Sequence, residues 1–141
     1  VLSLLYSTLP AADETRGRAV IAGVQGELHQ VGAHMVADAL DADGWDTRFL
    51  GTNMPHSGIV QAAEEHHADV LGISVTMLAN VSQAARLIGE ARDRLGTQAP
   101  RIIVGGAAFR QAPALWREIG ADGFAPDLRG AADLLRDLPA S

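Results

Sequence analysis

The chain has 141 residues, no cysteine and no lysine, 48% hydrophobic residues and a formal net charge of −6. That length suits one domain with a core that needs no disulfides. The missing residue types exclude disulfides, thiolate metal ligands, Schiff-base lysines and a P-loop, and the acidic balance argues against any direct nucleic-acid contact.

Residues 1–10, VLSLLYSTLP, are too short an apolar run to span a bilayer, and no basic residue precedes them as in a signal peptide. With no cysteine in the chain, the expectation is a cytoplasmic protein without a membrane contact. Leu2, Leu5 and Leu9 share one helical face, so residues 1–17 read as the end of a preceding helical segment plus a linker, with residues 18–138 as the domain proper. The alternative is a helix packed on the same domain.

Five apolar runs then alternate with helical patterns. Strands are expected at residues 19–24, 47–51, 69–75, 101–106 and 123–125. Helices are expected at about 31–42, 57–66 and 80–95, around Leu115 and Trp116, and in a last segment to about Leu138. Gly44 stops the first helix, and Gly96 with Pro100 stops the third. Alternation at this spacing predicts an α/β fold: a flavodoxin-like, Rossmann-like sheet of five parallel strands in the order 2-1-3-4-5, with helices on both faces.

In such a sheet a ligand binds outside the carboxyl ends of the strands. The loop after the first strand carries Gly26, Glu27, His29, Gln30, Val31 and Gly32; the third carries Ser74, Thr76 and Met77; the fourth carries Gly105, Gly106 and Ala107. Apart from Glu27 and His29 these residues are mostly small or hydroxylic, which describes an open slot. His29 precedes a helix N-terminus, whose positive end favours the neutral imidazole that a metal requires. Glu27, two residues back, is placed to accept the ring N–H of a ligating histidine. Gly32 lets a bulky group approach the helix start. Other chemistries fit less well. Gln25 stands where a dinucleotide fingerprint needs glycine, and the first strand ends without the acids of a phosphoacceptor domain. His66 and His67 belong at the far end of the sheet, away from His29.

Glu27-x-His29-x-x-Gly32, Ser74-x-Thr76 and Gly105-Gly106, in that order and in those loops, resemble the cobalamin-binding domain of methionine synthase, corrinoid proteins, mutases and cobalamin-dependent light sensors. The resemblance covers residues 18–138. It implies that His29 is the lower ligand of cobalt, in place of the cofactor's own dimethylbenzimidazole. It implies that Glu27 holds His29, that Gly32 clears the nucleotide tail, that Ser74 meets the displaced tail, and that Gly105 and Gly106 leave it room. Two positions depart from the family pattern: Glu27 replaces Asp, and Thr76 replaces Leu. For Ser74 and Thr76, capping of the following helix stays open as an alternative.

The family implies cobalamin, with adenosylcobalamin favoured and methylcobalamin the second candidate. The preferred reading is a light-sensing regulatory module with a preceding helical bundle and a homo-oligomer or protein partner. The alternative is the corrinoid carrier domain of a methyltransferase or mutase. In neither reading is the domain an enzyme on its own.

Overall fold

The computed structural model describes residues 17–23, 37–38, 40–42, 44–51, 54–112 and 114–125. Its elements are β1 (Arg18–Gly23), β2 (Asp46–Gly51), α1 (His56–Glu65), β3 (Val70–Ser74), α2 (Val81–Leu95), β4 (Arg101–Gly105), α3 (Ala107–Gln111), α4 (Leu115–Glu118) and β5 (Gly123–Ala125). Residues 37–38 and 40–42 are also helical. All four strand pairings are parallel, and the order is β2-β1-β3-β4-β5, as the alternation of patterns predicts. The last expected helix and most of the first lie outside the described residues.

The central strands are apolar on both faces because both faces are covered. On one face Val20, Ala22, Leu71, Ile73, Val75, Ile102 and Val104 pack against α1 and α2. Helix α2 buries Val81, Ala84, Leu87, Ile88, Ala91 and Leu95, a stripe at three- and four-residue spacing. On the other face Ala19, Ile21, Val70, Ile103 and Ala125 pack with Ala37, Leu40 and Trp45. Gly44, at φ +97°, turns the chain from that helical stretch into β2.

Asp69, expected inside β3, instead ties the strand starts together. Its carboxylate accepts from the Arg18 backbone N–H at 3.0 Å, and its carbonyl accepts from the Arg101 N–H at 2.9 Å. The single helix expected around Leu115 is two short ones, α3 and α4. The sequence puts Pro113 between them, and proline cannot continue a helical hydrogen-bond ladder. His66 is buried at the start of β2, where its Nε2 lies 2.9 Å from the Asp46 carbonyl oxygen. That places it at the edge opposite the carboxyl ends, as expected. Among the described residues no helix is long and apolar enough to cross a membrane.

Candidate functional site

Strands β1, β3 and β4 end level. Gly23 pairs with Ser74, Ser74 with Gly105, and Gly105 with Ala125, so one row crosses the carboxyl edge of the sheet. Side chains alternate along a strand, so this row shares a face with Ile21, Val70 and Ile103, away from α1 and α2. Its largest side chain is the hydroxymethyl of Ser74. The row below is Ile21, Gly72, Ile103 and Gly123. The register therefore leaves a shelf without bulk at the edge, bounded below by two isoleucines.

The loops after β3 and β4 are laced together. The Val75 N–H donates to the Gly105 carbonyl at 2.9 Å, and the Ala108 N–H donates to the Val75 carbonyl at 3.2 Å. Gly106 has φ +109°, and a Cβ there would stand 2.9 Å from the Val75 carbonyl carbon and 3.0 Å from its nitrogen. A Cβ on Gly105 would lie 3.0 Å from the Ala125 carbonyl oxygen. The expectation that these two glycines leave room for a cofactor tail thus meets a nearer cause. Both allow the chain's own backbone to close up, and Gly106 also needs its left-handed conformation. Ala107, half-buried, is the first residue of α3.

Beyond Ser74 the chain passes through buried Val75 and half-buried Thr76 into a short 3₁₀ turn, Leu78–Asn80. Met77 and Leu78 are 52% and 48% exposed, the large apolar side chains left open to solvent among the described residues. They form an apolar rim beside the shelf. The N-cap positions of the 3₁₀ turn and α2 are Met77 and Asn80, and neither has a side-chain cap hydrogen bond. Ser74 and Thr76 stand before these cap positions, at the end of β3 and in the loop that follows it.

Of the residues singled out in the sequence, Ser74, Thr76, Met77, Gly105, Gly106 and Ala107 come together at this edge. Gly26, Glu27, His29, Gln30, Val31 and Gly32 lie outside the described residues. Sequence reasoning missed Gly23, Gly72 and Ile21. The signal for Gly72 was present: a glycine inside the strand VLGIS marks a close approach of other atoms. Among the described residues no three His, Asp or Glu side chains converge as a metal cluster would require.

A family model, the B12 binding domain, matches residues 17–133. Dimethylamine corrinoid protein 2 of Methanosarcina acetivorans is 28% identical over 140 residues, covering 97% of this chain and 63% of that protein. The chain therefore spans about three fifths of this relative's length. The Methanosarcina barkeri monomethylamine corrinoid protein superposes with a TM-score of 0.79 at 21% identity, over 97% of this chain and 67% of that one. The methanol:cobalamin methyltransferase complex MtaBC of the same species gives 0.67 at 20% identity, over 96% of this chain and 52% of that one. At such identities the two structures speak for the fold.

Proposed function

Because the chain belongs to the B12 binding domain family, we propose that it holds a corrinoid at the carboxyl edge of its sheet and serves as the corrinoid carrier module of a methyl-transfer system. The observation that carries the binding is the shelf formed by Gly23, Ser74 and Gly105, with the apolar rim of Met77 and Leu78 beside it. A shelf of small side chains fits a narrow tail, and an apolar rim fits one face of a macrocycle. Ser74 offers its hydroxyl to polar atoms of the tail. Met77 and Leu78 exclude water from the edge of the ring. His29 would hold the cobalt, and Glu27 would fix the histidine tautomer by accepting its ring N–H. The group itself supplies a cobalt centre able to accept and release a methyl group.

The relatives reverse the order of the two readings drawn from the sequence. The curated relative and both solved structures are named for corrinoid or methyl-transfer proteins, and none is named as a light sensor. The carrier therefore stands ahead of the sensor, with a methyltransferase as the protein partner. The division at residue 17, with a helical bundle ahead of the domain, belongs to the same proposal.

The test is reconstitution of the full chain with methylcobalamin and, separately, adenosylcobalamin. Visible spectra and size-exclusion profiles are taken in the dark and after green light. A carrier binds the methyl form, and its assembly is unmoved by light. An oligomer that changes with light on the adenosyl form would restore the sensor. His29→Ala should remove the histidine nitrogen splitting from the electron paramagnetic resonance spectrum of the cobalt(II) state. The splitting would be assigned with isotopically labelled histidine, and its survival in the variant would remove His29 as the ligand.

A further inference from the structure

We propose that Ile21 is the end-stop of the tail slot and sets the length of the lower base that the domain accepts. The inference rests on the corrinoid reading above and concerns a residue that no sequence motif marks. Ile21 pairs across the sheet with Gly72, and Gly72 with Ile103. A Cβ built on Gly72 would stand 2.5 Å from Ile21 Cδ1. The isoleucine therefore leans across the strand gap and occupies the space that a side chain at position 72 would take. It is 3% exposed, and Ile103 beside it is 6% exposed. One row nearer the edge, Gly23 and Gly105 carry no side chain, Ser74 a hydroxymethyl and Ala125 a methyl. A tail entering along the shelf from the edge thus meets the Ile21 methyl after one row.

The chemistry of this stop is selective. Floor and wall are hydrocarbon, and Ser74 supplies the side-chain polar group on the row. A benzimidazole can press its apolar far edge against Ile21 without leaving a polar atom unpaired. A base longer by one fused ring has to displace Cδ1, and Ile21 belongs to a closed buried cluster with Ala37, Leu40, Val70 and Ile103.

The test uses the full chain and three probes: cobalamin, the analogous cobamide carrying naphthimidazole, and cobinamide, which has no lower base. Equilibrium binding is followed in the visible spectrum. The wild-type chain should bind cobalamin at least tenfold more tightly than the naphthimidazole form. Ile21→Val removes the leaning methyl and little else, and should narrow that ratio at least threefold with cobinamide affinity unchanged. Gly72→Ala works from the opposite side. Its new Cβ takes the place of Cδ1 and drives Ile21 toward the small-residue row, so it should weaken cobalamin binding while sparing cobinamide. An unchanged ratio in Ile21→Val, with circular dichroism matching the wild type, overturns the end-stop. Equal wild-type affinity for cobalamin and cobinamide overturns the tail slot as well. Binding of none of the three probes overturns the corrinoid reading itself.

Discussion

Gly106 shows how one residue fixes the geometry of the edge. Its φ of +109° and the nearby Val75 peptide leave no space for a methyl group. Gly106→Ala should therefore destabilise the fold by at least about 2 kcal/mol, measured as a lower denaturant midpoint with no cofactor present. Loss of binding in that variant without loss of stability would favour the tail-clearance role for this glycine. Ser74 is the contrasting residue. It sits on the small-residue row between Gly23 and Gly105, and the N-cap position of α2 is Asn80, six residues on. Ser74→Ala should leave stability within about 0.5 kcal/mol, as for a substitution that breaks no packing, and weaken cobalamin binding relative to cobinamide. The positions of Glu27 and His29 were legible as a motif because a carboxylate and an imidazole at this spacing suit a metal ligand and its support. The stop at Ile21 was not legible, because an isoleucine in a strand reads the same whether it fills a core or ends a slot.

At the scale of elements, α2 divides cleanly into an inward stripe and an outward face. Leu87 is fully buried, whereas a Cβ on Gly89 would meet nothing within 4 Å. Gly89→Ala should therefore stabilise the chain by about 0.5–1 kcal/mol by lowering the entropy lost on helix formation. Thermal unfolding would check this, and a lower midpoint would mean that the outer face of α2 is packed against something. The strand ends are held by a different device. The Asp122 carboxylate accepts from the Ile102 N–H at 2.8 Å and from Arg92 at 3.3 Å, linking β4, α2 and the entry to β5. Strand existence and order followed from apolar runs separated by helical patterns. The break between α3 and α4 did not, although Pro113 was visible, since the apolar Leu115 and Trp116 carried a helical pattern beyond it.

Across the whole molecule, the site is assembled from loops that are far apart in sequence and level in space. A cofactor seated there stabilises the folded state by mass action. At 100 times its dissociation constant, cobalamin should raise the unfolding free energy by ~2.7 kcal/mol, seen as a shift in the denaturant midpoint. Cobinamide at the same concentration should give a smaller rise, because it leaves the shelf empty. An equal rise from both would mean that the tail adds no binding energy and that the shelf is not its seat. The sequence by itself determined the α/β alternation, the strand order and the three loops that carry the motifs, because periodicity and turn residues act locally along the chain. Only the tertiary structure decided that Gly23, Ser74 and Gly105 stand in one row, that Gly106 answers to Val75, and that Ile21 lies over Gly72. These depend on the register between parallel strands dozens of residues apart, and register is set by packing on both faces at once, which no single stretch of sequence contains.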